Sequence, residues 1–111
     1  MEYKVCNSKD LPNNSKKMIY IQGSKILVCR SNNRLFALNN SCPHRGASLS
    51  KSEINETKII CYMHDFEYDL ISGKLLHIPS KWNDQNPNWT KSGNLLLFPI
   101  SEKDGEIYIR L

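Results

Sequence analysis

Two short sets of metal-ligand residue types constrain this chain more than any other feature. They are Cys42-Pro43-His44 and Cys61-Tyr62-Met63-His64, separated by the sixteen residues Arg45 to Ile60. Each set offers one thiol and one imidazole, a soft anionic ligand beside a neutral nitrogen ligand, and neither completes a metal site alone. Four such ligands suit a tetrahedral zinc ion, or a two-iron, two-sulfide cluster in which two histidines replace two cysteines on one iron. Zinc fingers usually pair their ligands as Cys-x2-4-Cys and His-x3-5-His. Here the order is Cys-x-His followed by Cys-x2-His.

With 111 residues and 40% hydrophobic content, the chain has room for one domain around one core. Met1 to Lys17 carries neither an apolar run of signal-peptide length nor a twin arginine, and no stretch approaches the twenty apolar residues of a membrane span. The expectation is a soluble, cytoplasmic monomer. Fifteen basic and eleven acidic side chains leave a net charge of +4, scattered without the dense Lys/Arg run of a nucleic-acid arm. Four cysteines without a secretory signal point to metal binding rather than a disulfide scaffold. Cys6 and Cys29 lie inside apolar strand patterns with no ligand neighbour and read as buried core thiols. His77, after Leu75-Leu76, reads as a structural or solvent-facing residue.

The period along the chain is that of strands. Tyr3-Lys4-Val5-Cys6 alternates, Asn7 to Asn14 breaks the pattern, and Met18-Ile19-Tyr20-Ile21 resumes it. Gly23-Ser24 is a turn signal before Lys25 to Arg30, whose Ile26-Leu27-Val28-Cys29 is apolar on both faces and predicts a central strand. Ser31-Asn32-Asn33 turns into Arg34 to Leu38. Ser48 to Thr57 has no strong period and predicts only a short helical turn or an irregular crossing. Lys58-Ile59-Ile60 leads into Cys61, Asp65 to Leu70 alternates, and Ser72-Gly73 turns the chain back. His77 to Asn94, with Pro79, Trp82, Pro87 and Trp89, predicts a long loop anchored by aromatics. Leu95 to Ile100 and Ile107-Tyr108-Ile109, around a turn at Asp104-Gly105, close the sheet. With no helix of useful length, the predicted class is all-β.

The ligand order and its flanks resemble the Rieske motif. Cys42-Pro43-His44-Arg45-Gly46-Ala47-Ser48-Leu49 is similar to that family's first cluster loop, Ser72-Gly73-Lys74 stands where the second usually ends, and Leu95 to Leu111 looks like its closing hairpin. The resemblance covers nearly the whole chain, which looks like the small soluble archaeal Rieske-type ferredoxins. It implies a single Rieske domain over residues 1–111 with stacked antiparallel sheets, and a cluster-binding subdomain over about 40–75 formed by two ligand loops. It implies one [2Fe-2S] cluster per chain, with Cys42 and Cys61 on one iron and His44 and His64 on the other. Ferric ions, sulfides and thiolates then cancel, so the oxidised cluster is neutral and accepts an electron more easily than an all-cysteine one. Rieske potentials accordingly lie at about −150 to +300 mV, against roughly −400 mV for plant-type ferredoxins.

The function this implies is a one-electron carrier passing electrons between a reductase and an oxygenase or other terminal acceptor, without enzyme activity of its own. Two other readings use the same ligands: a structural zinc module, in which metal supplies only folding energy, and an electron-transfer subunit of a larger oxidoreductase complex. Tyr62 and Asp65 depart from the family pattern, which has proline and glycine there, and Asp can visit the left-handed conformation that glycine adopts freely. High-potential family members carry a disulfide between cysteines at the positions of Ala47 and Met63, and a serine where this chain has Phe66. Tyr68 stands where they have a sulfur-bonding tyrosine. The implied potential lies in the lower part of the family range. Arg45, beside His44, is expected to steer an acidic partner, and Pro87 to shield the cluster.

Overall fold

A computed structural model of the chain describes residues 2–41, 48–62, 65–77 and 94–111. Among the described residues ten strands, all paired antiparallel, form three sheets, and the helical content is two 3-10 turns, Ser8–Asp10 and Leu49–Lys51. The all-β expectation is met.

The middle layer explains the sequence's most apolar strand. β2 (Ser15–Ile21), β3 (Ser24–Ser31) and β4 (Arg34–Asn39) form a sheet with β3 in the centre. Successive side chains on a strand point to opposite faces, so Leu27 and Cys29 of β3 join Phe36 and Leu38 of β4 in one core. Ile26, Val28 and Ala37 project into a second core on the other face. The second core is covered by β1 (Glu2–Asn7), β10 (Glu106–Arg110) and β9 (Ile100–Lys103), through Cys6, Ile107 and Ile109. The first core is covered by β5 (Glu53–Asn55), β6 (Lys58–Ile60), β7 (Glu67–Asp69) and β8 (Leu75–His77), and contains Ile59, Cys61, Phe66 and Tyr68. Only a strand buried on both faces keeps every position apolar.

Among the described residues four hairpins close with two residues each, and in three of them both residues have positive φ: Gln22-Gly23, Asn32-Asn33 and Asp104-Gly105. Such pairs match the right-handed strand twist. The first turn therefore sits one residue earlier than Gly23-Ser24, because Ser24 already pairs with Ile21. β2 likewise begins at Ser15, ahead of the apolar signal.

Three further differences follow from tertiary packing. Glu53–Asn55, expected to be irregular, is a strand because Ile54 can lie opposite Ile59 and pack on the first core. Asp65 and Phe66 lie outside β7, and Leu75–His77 is a strand hydrogen-bonded to it. The apolar run Leu95 to Phe98 is a crossing rather than a continuous strand. Leu95 and Leu97 pack on the first core and Phe98 on the second, Leu97 forms a bridge with Leu38, and Pro99 has no N–H for a ladder. Gly73 is needed where this crossing meets the β7–β8 turn: its φ is +79°, and a Cβ there would lie 2.8 Å from the Leu95 carbonyl oxygen. Most of the expected aromatic loop, with Pro79, Trp82, Pro87 and Trp89, lies outside the described residues.

Candidate metal centre

Both ligand sets are reached through well-defined feet on the first core. At the first, β4 ends at Asn39, whose Oδ1 accepts the Ser41 N–H at 2.9 Å. Asn40 is 4% exposed, and its side chain bonds back across the segment that follows. Its Nδ2 donates to Ser48 Oγ at 2.8 Å and to Met18 Sδ at 3.3 Å, and its Oδ1 accepts the Ser50 N–H at 2.8 Å. Its backbone donates to the Lys25 carbonyl and accepts from the Leu49 N–H. A bridge between Ser41 and Ser48 brings the two ends together. Cys42, His44 and Arg45 lie between these ends, outside the described residues, as do Gly46 and Ala47.

The second foot is built from backbone. Cys61 directly follows β6 and is fully buried. Its N–H donates to the Phe66 carbonyl at 2.8 Å, and its carbonyl accepts the Asp65 N–H at 2.9 Å. The chain closes so tightly because Asp65 adopts φ +58°, a left-handed conformation that Asp can visit. Met63 and His64 lie outside the described residues. Tyr62 is 46% exposed, with the Lys51 ammonium 5.8 Å from its ring centroid.

The two feet are linked. Leu49 N–H donates to the Asn40 carbonyl, Ser52 N–H to the Leu49 carbonyl at 3.0 Å, and Tyr62 N–H to Ser52 Oγ at 3.2 Å. Ser52 is 1% exposed, and its carbonyl accepts from Lys16 Nζ. Displacing one foot therefore strains hydrogen bonds of the other. Asn40, Ser52 and Lys16 carried no signal in the sequence, since each is a common polar residue whose partner is distant or non-periodic.

The cysteines separate by environment. Cys6 and Cys29 are buried free thiols, and Cys61 is buried as well. Burial pushes the Cys29 thiol up to about 12, only partly opposed by Lys16, and burial also raises Cys6. Both are core thiols, as expected, and neither suits a thiolate's role. Cys61 instead lies at the base of a loop beside a second loop's foot. Among the described residues no three His, Cys, Asp or Glu side chains converge as a metal site; Cys61 is the one expected ligand within them. Its chemistry fits a metal centre, because a buried thiolate needs a compensating positive charge, which metal coordination supplies. Phe66 and Tyr68 are fully buried in the same core as Cys61. His77 is exposed on β8, opposite Glu67.

A β-sandwich with two linked loop feet, one carrying a buried cysteine, is the frame from which the two expected ligand sets depart. The family model of the Rieske [2Fe-2S] domain matches residues 1–98, and the chain belongs to that family. A Rieske domain holds one [2Fe-2S] cluster, which supplies one-electron transfer when bound. Among curated proteins, the chain is 31% identical over 113 aligned residues to the terminal oxygenase component of carbazole 1,9a-dioxygenase from Metapseudomonas resinovorans, covering 98% of this chain and 28% of that one. It is 30% identical over 79 residues to human apoptosis-inducing factor 3, covering 71% of this chain and 13% of that one. The chain thus spans less than a third of the length of either relative. Among solved structures, the ferredoxin of carbazole 1,9a-dioxygenase from Nocardioides aromaticivorans superposes with a TM-score of 0.80 at 17% identity, over 97% of this chain and 95% of that one, a likeness of fold. No helix among the described residues is long and apolar enough to cross a membrane.

Proposed function

We propose that Cys42, His44, Cys61 and His64 ligate the cluster, thiolates on one iron and imidazoles on the other, and that the chain is a one-electron carrier rather than an enzyme. The observation that carries this reading is the pair of linked feet, from which the two ligand sets depart in a chain of the Rieske family. Asn40 and Asp65 hold the loops closed, and Ser52 keeps them in step. The core of Leu49, Phe66, Tyr68 and Leu95 keeps water from the Cys61 side. The family's two-iron cluster takes precedence over the zinc module as the use of these ligands.

Its redox partners are proteins, a reductase on one side and an oxygenase or other acceptor on the other. The ferredoxin likeness and the identity to an oxygenase component support this choice. A second reading, the electron-transfer segment of a larger oxidoreductase, is favoured by the small share of each longer relative that the chain spans. We assign a single domain over 1–111 with its cluster-binding part at about 40–75, a monomer, and the cytoplasm, where the Cys6 and Cys29 thiols stay reduced. Fully buried Phe66, in place of a hydroxyl donor, supports a potential in the lower part of the about −150 to +300 mV range. Arg45 is assigned to steering and Pro87 to shielding.

Visible and electron paramagnetic resonance spectra of the purified protein test the reading. The native protein should show a Rieske signal that His44→Ala and His64→Ala abolish and Cys29→Ser leaves intact. An unchanged spectrum in either histidine variant removes that residue from the site. Co-purification with a stable partner would select the second reading.

A further inference from the structure

Lys16 stands on the edge strand β2, opposite Cys29 of β3. Paired residues in a ladder project to the same face, and Cys29 belongs to the core that contains Cys61. Met18, two residues on, meets Asn40 Nδ2 at the first loop's foot, which marks the same face. The side chain of Lys16 is largely exposed along its length, but its ammonium turns inward and donates to the Ser52 carbonyl. There desolvation lowers its pKa, opposed by Cys29, against which it lies.

The position is unusual in its charge. Lys16 borders a cavity of about 190 Å³ that is also lined by Arg30, Ser52 and Glu53. Arg30 there is paired with Glu102 through bonds of 2.7 and 3.3 Å, so the fields of those two charges largely cancel. Glu53 is exposed, and its field is screened by water. Lys16 meets a neutral carbonyl, and that carbonyl's own residue accepts the N–H of Tyr62, next in chain to Cys61.

We propose that Lys16 is a positioning residue for the cluster: seated on Ser52, its ammonium steadies the second ligand loop and holds a positive charge on the ligand-side core, favouring the reduced state. This rests on the Rieske cluster reading above. A charge near a partly desolvated site acts through a lower effective dielectric than water, so one ammonium is felt across several hydrogen bonds. Reduction adds one negative charge, which the ammonium stabilises; its removal lowers the potential.

The neighbouring residue supplies the control. Lys17 points to the opposite face, where its charge acts on Cys6 of the second core. Lys16→Gln, Lys16→Arg and Lys17→Gln should be loaded with cluster and their midpoints measured by protein-film voltammetry, with spectra taken in parallel. Lys16→Gln should shift the oxidised-to-reduced equilibrium about tenfold toward oxidised, about 59 mV for a one-electron couple. Lys16→Arg should stay within about threefold of native, and so should Lys17→Gln. A shift in Lys16→Gln no larger than that in Lys17→Gln, or a Lys16→Arg midpoint as low as that of Lys16→Gln, overturns the proposal. Loss of the cluster from Lys16→Gln alone also supports it. Loss from both Lys16 variants overturns it, because retaining the charge should keep the loop closed. Native protein with no Rieske signal would instead sink the cluster reading, and this proposal with it.

Discussion

The two loop feet do the same task with different materials. The first is held by one side chain: Asn40 bonds three groups from its amide and two from its backbone, and it is almost fully buried. The second is held by its own main chain, closed by two backbone bonds around a left-handed Asp65. The first foot has six residues, 42–47, between its ends, which a Ser41–Ser48 bridge and the Asn40 amide join together. A buried amide can do so, because it offers both donors and an acceptor. The second foot is a tight turn whose geometry is already that of hydrogen-bonded peptide. A side-chain foot should therefore fail on one substitution, and a backbone foot should tolerate many.

The strongest way to break this comparison is Asn40→Ala. It leaves the Ser50 N–H without its partner in a partly buried place, at about 1–3 kcal/mol, while the Ser48 hydroxyl keeps its contact with Ser50 Oγ. Denaturant melts should show a loss of about 2 kcal/mol, with weakened cluster retention. A loss below about 1 kcal/mol would mean that water or neighbouring groups replace the amide.

A smaller effect is expected from Ser52→Ala, which removes the contact between the feet without touching either. The cost should be about 1 kcal/mol, the usual net value of one hydrogen bond. A double-mutant cycle with Asn40→Ala sharpens the test: a coupling of about 0.5 kcal/mol or more shows that the feet share strain, and simple additivity shows that they do not.

The smallest change should come from Asp65→Gly. Glycine relieves the left-handed strain but enlarges the entropy of the unfolded chain, so the net effect should lie within about 1 kcal/mol of zero. A large loss would mean that the carboxylate itself, rather than the turn, holds the second foot.

Much of the scaffold was legible because strand period and turn chemistry are local. The doubly apolar Ile26-Leu27-Val28-Cys29 announced a strand covered on both sides, and it is the middle of the sandwich. Asp104-Gly105 turns where the dipeptide indicated, and the structure settles Asp65, left open by the sequence, in the left-handed conformation. The proposed ligand sets stand out for another reason: a metal centre demands particular residue types, and of these Cys61 alone lies within the described residues. Cys6 and Cys29 were separated from them by their apolar surroundings, as burial bears out.

The sequence by itself determined the all-β class and the central strand, because these depend on side-chain alternation close along the chain. Only the tertiary structure decided that Leu95 to Phe98 divides between two cores, since an apolar run does not say which surface will cover it. It also decided that Glu53–Asn55 is a strand and that Asn40, Ser52 and Lys16 tie the loop feet together. Asparagine, serine and lysine are ordinary surface residues until burial removes their water. Their partners lie 8 to 36 residues away, a separation at which no local pattern connects them.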